Sequence, residues 1–422
     1  MHCGRSCDHN VVRCAGATPL TPHLTARVGG RARVPLQPVS DAFWPVVGIV
    51  GGGQLARMTQ PAAVALGVRL SVLSAGPDES AAQVIRDPVI ADEKALDDLM
   101  SFAKACDVLT FDHEQVPPEH LTALESAGVV VRPGSHALLH AQDKGVMRAR
   151  LTELGISCPA HRIVDDAADA LSFAAEHGGR AVLKTTRGGY DGKGVWVIDT
   201  DTAREAVDEP FRAGVPVLAE ERVEFTRELS AVVARSPHGQ AVAYPVVESV
   251  QRDGICVEII APAPGMSSDF AVEAQRIALS IAAELGVVGI LAVEMFETVD
   301  GRLLVNELAM RPHNSGHWSI DGAVTSQFEN HVRAVLDLPL GAPDARAPYT
   351  VMVNILGGDL TEIYPAYRHV MARDPGVKVH WYGKGVRPGR KVGHVTVYGD
   401  DLDSLRERAW HAADYIRGDI DE

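Results

Sequence analysis

The chain has 422 residues, 46% hydrophobic and 23% charged, with a formal charge of -15. These values exclude a disordered, collagen-like or disulfide-scaffold protein, and the acidic balance argues against a dedicated nucleic-acid binder, which would present a basic face. No apolar run reaches the roughly 18 residues of a membrane span, and at roughly 100–200 residues per domain the length holds two to four domains.

Residues 1–44 stand apart, with five Arg, two Asp and no Lys or Glu. They lack the apolar segment of a secretory signal and read as a disordered extension outside the fold. Order is expected from Pro45. Val46 to Val50 reads as a buried strand, Gly51-Gly52-Gly53 as a tight loop, Gln54 to Leu66 as a helix and Val68 to Leu73 as a second strand. A helix from Asp97 to Cys106, a strand from Val108 to Phe111, a helix from Glu119 to Ala127 and a strand from Val129 to Val131 complete a parallel α/β unit over 45–140.

A helix at about 136–154 leads into a second region, 141–340, of α+β texture. Its strands are expected at 181–185, 195–198, 216–219, 229–234, 241–246, 291–296 and 302–306, with helices near 166–177, 201–213 and 268–285. After Pro339-Leu340-Gly341-Ala342-Pro343, a small β-rich piece (341–422) runs to about 398 and closes on a helix from Asp403 to Ile416. The six cysteines (3, 7, 14, 106, 158, 256) include no C-x-x-C pair and read as reduced thiols of a cytoplasmic protein.

Five motifs carry chemistry. Gly51, Gly53 and Ala56 satisfy G-x-G-x-x-A between strand and helix. A nicotinamide site would also want an acid about 20 residues on, and Leu70-Ser71-Val72-Leu73-Ser74 has none. The loop reads as a phosphate cradle for another ligand or as a plain tight turn. Arg187-Gly188-Gly189-Tyr190-Asp191-Gly192-Lys193-Gly194 has strands on both sides, unlike a Walker loop. It reads as a hairpin flap able to cover a triphosphate, with Lys184 in reach, or as an ordinary long hairpin loop.

The third motif is the stretch from Val293 to Glu307. With Asp300-Gly301 as a two-residue hairpin loop, Glu294 stands opposite Glu307. Like charges directly opposite are destabilising, and a divalent cation between them reverses that penalty. Hard carboxylate oxygens with Asn306 beside them suit Mg²⁺; the alternative is that both carboxylates face water or that the register differs by a residue. Fourth, Arg311-Pro312-His313-Asn314-Ser315-Gly316-His317-Trp318 is rich in donors and reads as an anion clamp or a capped loop. Its Pro and Gly argue against the helix that a zinc pair of His313 and His317 would need. Fifth, Lys378, Lys384, Arg387, Arg390 and Lys391 occur with no acid between 378 and 394, which suits one phosphate monoester or a solvated basic face.

Taken in order, Gly-Gly-Gly-Gln-Leu-Ala-Arg-Met (51–58), Gly-Gly-Tyr-Asp-Gly-Lys-Gly (188–194), Val-Asn-Glu (305–307), the 311–318 string, His-Trp-Tyr-Gly-Lys (380–384) and Arg-Pro-Gly-Arg-Lys-Val-Gly-His (387–394) form a specific pattern. It resembles the 5-(carboxyamino)imidazole ribonucleotide synthase family of ATP-grasp enzymes in purine biosynthesis, over about residues 45–416. The resemblance implies an ATP-grasp fold with an N-terminal Rossmann-like, pre-ATP-grasp domain and a small β-rich C-terminal domain. It implies ATP-dependent carboxylation of aminoimidazole ribonucleotide with bicarbonate as co-substrate, Mg²⁺ or Mn²⁺ as the ion, and small molecules rather than nucleic acid or membrane as partners. It also implies a homodimer.

Residue by residue, the resemblance implies that Lys144, Lys184 and the flap Gly189, Tyr190, Asp191, Gly192, Lys193, Gly194 and Val195 hold the ATP phosphates. Glu220, Glu221, Arg222 and Val223 would form the adenine edge and Glu228 would take the ribose. Gln251, Asn306 and Glu307 would complete the nucleotide site, and Glu294 and Glu307 would hold the metal. Gln54, Leu55, Glu114, Tyr190 and Asp191 would line the aminoimidazole ribonucleotide. Arg311, His313, Asn314 and Ser315, with Lys384, Arg387 and Arg390, would hold bicarbonate or the ribonucleotide phosphate. Asp191, Arg311, His313 and Lys384 would act in catalysis. The chain departs from the pattern at Lys144, Gln251, Met310, Asp112 and His113. The alternative is a sister enzyme such as formate-dependent glycinamide ribonucleotide transformylase.

Overall fold

The computed structural model describes residues 44–188, 194–202, 204–358 and 362–421. The expected extension therefore lies outside the described residues, apart from Trp44. At the N-terminal end is a four-stranded parallel sheet in the order Val89–Ile90, Arg69–Ser74, Val46–Val50, Val108–Phe111. Every residue of Val46–Val50 is buried, as the uninterrupted apolar run of a doubly covered parallel strand requires. The segment 129–131 forms only a single bridge, Val131 to Leu109. It stops there because Pro133 has no N–H to continue a ladder. The expected helix at 136–154 is two helices, Ser135–Gln142 and Lys144–Glu153. They break at Asp143, whose extended backbone and side chain cap the second by accepting from Val146 N at 3.1 Å.

The middle of the chain builds two sheets. A four-stranded antiparallel sheet runs His161–Val164, Val217–Glu221, Arg180–Thr185, Val195–Asp199. The helix Ala167–Glu176 packs on it through Ala170, Phe173 and Ala174. The helix expected at 201–213 is a short Arg204–Asp208 turn followed by a 3-10 turn, Glu209–Ala213, because Pro210 cannot donate. The second sheet has nine strands. Its order is Leu303–Ala309, Gly289–Thr298, Phe225–Arg235, Val247–Arg252, Ile255–Ala261, Tyr349–Leu356, Lys391–Gly399, Lys378–Trp381, with Ala241–Ala243 paired to Phe225–Arg235. The β-rich C-terminal strands thus extend the sheet of the central region. The closing helix Leu402–Arg417 covers them through Leu405, Ala409, Ala413 and Ile416.

Two of these strands, Val247–Arg252 and Ile255–Ala261, are absent from the sequence reading, as is the helix Gln327–Val335. Polar residues break their apolar pattern. Ser249 and Glu258 are buried in the strands, and Gln327, Asn330 and His331 are buried in the helix. Each is satisfied by a partner, as burial demands.

His331 ties the N-terminal parallel sheet to the nine-stranded sheet. Its Nδ1 accepts from Ile290 N at 3.3 Å, so Nε2 carries the proton toward Thr110 Oγ1, 2.8 Å away. Burial lowers its pKa to about 4. Because that value lies below the ordinary His value of about 6.5, the unfolded chain takes up a proton before the folded chain does. Stability is expected to fall by on the order of 3 kcal/mol as pH drops from 6.5 to 4. Urea titrations of wild type and His331→Gln check this. The variant is expected to lose that slope, and an equal slope would count against the assignment.

Among the described residues, no helix is long and apolar enough to cross a membrane. Cys106, Cys158 and Cys256 are free thiols.

Candidate active site

The two middle sheets face each other across a cleft, and charged side chains bridge it. Lys184 lies near the end of Arg180–Thr185. Its Nζ is 2.6 Å from Glu220 Oε2 on the neighbouring strand and donates to Asn306 Oδ1, on the other sheet, at 3.1 Å. Lys144, the first residue of its helix, reaches Glu307 Oε1 at 3.2 Å. Arg180–Thr185 and Val195–Asp199, the strands on either side of the glycine-rich segment, pair antiparallel, with Thr185 N donating to Gly194 O at 3.0 Å. Val195 opens the second of these strands and is exposed. Gly189, Tyr190, Asp191, Gly192 and Lys193 lie outside the described residues.

The register of the carboxylate hairpin places Glu294 opposite Glu307, although by a route that differs from the expected one. Thr298 N donates to Arg302 O at 2.9 Å, so the loop has three residues, Val299, Asp300 and Gly301. That register alone would set Glu294 against Asn306. A bulge at Asn306 shifts the pairing by one, and the shift turns Glu307 onto the face of Glu294. Burial and the facing Glu307, with Glu228 behind it, raise the Glu294 pKa well above the carboxylate range. Burial also pushes Glu228 up to about 7.

A cation would relieve this penalty, and the donors are hard oxygens. Among the described residues no group of three or more His, Cys, Asp or Glu is arranged around one ion. Two carboxylates are the kind of donor set that Mg²⁺ commonly takes together with phosphate and water.

The rest of the nucleotide side is mixed. Glu220 is buried between Arg148 Nε and Lys184 Nζ, each at 2.6 Å. Burial opposes its ionisation, but the two cations prevail and hold its pKa down to about 2. Its side chain is thus committed to the protein, and its backbone lies inside the sheet, in register with His161 and Val182. Glu221 Oε1 likewise accepts from Ala160 N at 2.9 Å. Arg222 is exposed, Val223 half-buried. Glu228 pairs in register with Ser249, and Gln251 Nε2 donates to Ser249 Oγ at 3.0 Å, so all three gather on the same floor. Sequence reasoning missed Arg148, whose spacing of one helical turn from Lys144 was the available signal.

At the other end of the cleft three parts of the chain meet. Arg311 Nε donates to Glu114 Oε2 at 2.8 Å. Lys384 Nζ bonds Gln54 Oε1 at the start of the helix Gln54–Ala65. Ser80 Oγ bonds Tyr382 O, and Gln83 Nε2 reaches Gly383 O at 2.7 Å, which docks the basic loop there. Arg387 and Arg390 are exposed beyond it.

His313 Nδ1 accepts from Ser315 N at 3.3 Å and lies 2.8 Å from Ser315 Oγ, which in turn is 2.7 Å from Ser230 Oγ. Its proton therefore lies on Nε2, 3.5 Å from Glu294 Oε1. Burial, reinforced by Arg311 and Lys391, lowers its pKa to about 3, so the ring is a neutral donor. Gln327 clamps this loop, accepting from His313 N at 2.9 Å and donating to His313 O at 2.7 Å.

Three predicted ligand residues are spent on the protein. Asn314 exchanges amide bonds with Asn354 at 3.0 and 2.9 Å. Ser315 is buried on His313, and Leu55 is buried, leaving only backbone to offer. His317 points into the core, bonded to Gln327. The glycine loop packs tightly: a side chain at Gly53 would strike Asp112, and one at Gly52 would strike Ser74 and Glu79. Asp112 Oδ1 accepts from Ala56 N at 2.6 Å. An internal carboxylate thus occupies the helix start where an outside phosphate would bind.

A cleft between two sheets, with lysines from one side, facing glutamates from the other and a hairpin flap, defines an ATP-grasp enzyme. Residues 149–328 match the ATP-grasp domain, 45–142 the ribonucleotide synthetase preATP-grasp domain, and 350–408 the phosphoribosylaminoimidazole carboxylase C-terminal domain. Within that class the chain belongs to the N5-carboxyaminoimidazole ribonucleotide synthases. It is 55% identical over 382 residues to that synthase of Mycobacterium tuberculosis, covering 90% of this chain and 89% of the relative. It is 36% identical over 356 residues to that of Bacillus subtilis, covering 83% and 90%. The crystal structure of the Aspergillus clavatus synthase with ADP and 5-aminoimidazole ribonucleotide is 30% identical with a TM-score of 0.81, covering 89% of this chain and 99% of that one.

Proposed function

We infer that the chain carboxylates 5-aminoimidazole ribonucleotide with bicarbonate at the expense of ATP, giving carboxyaminoimidazole ribonucleotide, ADP and phosphate. The observation that carries this reading is the opposition of Glu294 to Glu307 between Lys144, Lys184 and His313. Membership in the synthase family supports it.

Bicarbonate is a poor electrophile and must be activated. Its oxygen attacks the γ-phosphorus of ATP, giving carboxyphosphate and ADP. Lys144 and Lys184 neutralise charge on the transferring phosphoryl group. A Mg²⁺ ion, held by Glu294 and Glu307, supplies further neutralisation when bound. Arg311 and neutral His313 orient bicarbonate. The flap around residues 189–193 excludes water from the labile carboxyphosphate. Carboxyphosphate loses phosphate to give CO₂, which the exocyclic amine captures, and Asp191 orients that amine and takes its proton. Gln54, Glu114 and Lys384 hold the ribonucleotide, with Arg387 and Arg390 on its phosphate.

On the same reading the chain divides into 1–44, a pre-ATP-grasp domain (45–140), an ATP-grasp domain (141–340) and a C-terminal domain (341–422). It works in the cytoplasm as a homodimer.

A coupled ADP-release assay with substrates omitted one at a time tests the activity. ADP is expected only when ATP, bicarbonate and aminoimidazole ribonucleotide are all present. Turnover with formate and glycinamide ribonucleotide instead would reject the reading.

A further inference from the structure

We propose that Arg148 is a positioning residue for the metal-binding carboxylate pair, acting through the bulge at Asn306; this rests on the reading that Glu294 and Glu307 hold a divalent ion. The Arg148 side chain is 1% exposed. It uses three donors: Nε to Glu220 Oε1 at 2.6 Å, Nη1 to Val305 O at 2.9 Å and Nη2 to Asn306 O at 2.7 Å. Asn306 is the residue left without a cross-strand partner where the register shifts. A bulge breaks the local ladder, and here the guanidinium binds the carbonyls of the bulged residue and of the residue before it.

The arrangement closes into a ring. Arg148 binds Glu220, Glu220 binds Lys184, Lys184 Nζ donates to Asn306 Oδ1, and Asn306 O returns to Arg148. The planar fork of an arginine suits this task, because one rigid group spans a carboxylate and two carbonyls. Without the bulge, a one-residue slip would turn Glu307 to the opposite face from Glu294. Arg148 thus sets the geometry of a site that it does not touch.

The test is Mn²⁺ binding by electron paramagnetic resonance in the presence of ADP, on the full chain, with circular dichroism to verify folding. Wild type is expected to bind, and Arg148→Met to bind about 10–100-fold more weakly, as for lost supports behind metal ligands. Arg148→Lys is expected to recover part of the loss, since it keeps the charge beside Glu220 but not the fork. Folded Arg148→Met with wild-type affinity would overturn the proposal. Should that variant not fold, Arg148→Lys decides: a weakening of about 3-fold or more supports the role, and unchanged affinity rejects it. Absence of Mn²⁺ binding by the wild type would instead reject the metal reading on which the proposal stands.

Discussion

Replacing Glu294 by Gln is expected to lower turnover by about 10²–10³-fold, equivalent to several kcal/mol of lost charge stabilisation at the phosphoryl group. In metal-free buffer the same change is expected to raise the melting temperature. Glu294 faces Glu307 directly and lies near Glu228, and like charges so placed cost up to about 1 kcal/mol. Near neutral pH the wild-type pair escapes this repulsion by holding a proton on Glu294, at a cost to folding, and a neutral amide removes that cost. With ADP already present, added Mg²⁺ should then stabilise wild type further through binding and leave the variant unmoved. Opposite signs on activity and metal-free stability distinguish a site built for a cation from a buried structural carboxylate. A variant that melts lower without metal and retains its magnesium response would contradict this role for the pair.

Glu220→Gln is expected to cost about 3–5 kcal/mol, because it leaves Arg148 and Lys184 inside the protein without their counter-charge. The wild-type contribution has a defined pH window. Glu220 is held at about 2 in the fold, below the ordinary carboxylate value. Its stabilisation is therefore complete above about pH 4.3 and drains away as pH falls toward 2. Urea unfolding at pH 7 and at pH 3 checks both statements. The difference between wild type and variant should be largest at pH 7 and shrink at pH 3, and a constant difference would contradict the assignment.

Much of this architecture was legible in the sequence because local chemistry and fold agree. Val46–Val50 is uniformly apolar and is uniformly buried. The two carboxylates were correctly paired from the Asp-Gly turn, but the loop length was misjudged. Two offsets, a longer loop and a bulge, cancelled. The bulge leaves no signature at Asn306 itself, because the Arg148 side chain that binds its carbonyl lies 158 positions away, on a helix.

The misses share a physical cause. Glu258 and His331 are buried polar residues whose partners are distant in sequence, while Ser249 and Gln327 are held by nearer neighbours; all four looked like interruptions. The internal partners of Asn314 and Ser315 were hidden in the sequence for the same reason. Asn354 and Ser230, which occupy them, lie 40 and 85 positions away. The basic run at 378–394 brings Lys384 to Gln54, a contact across 330 positions.

The central claim is that bicarbonate is activated by phosphoryl transfer in this cleft. It is tested most directly by supplying ¹⁸O-labelled bicarbonate with ATP and aminoimidazole ribonucleotide and weighing the phosphate released. Attack on the γ-phosphorus carries one bicarbonate oxygen into every phosphate, so singly labelled phosphate is predicted. Turnover that releases unlabelled phosphate would contradict it.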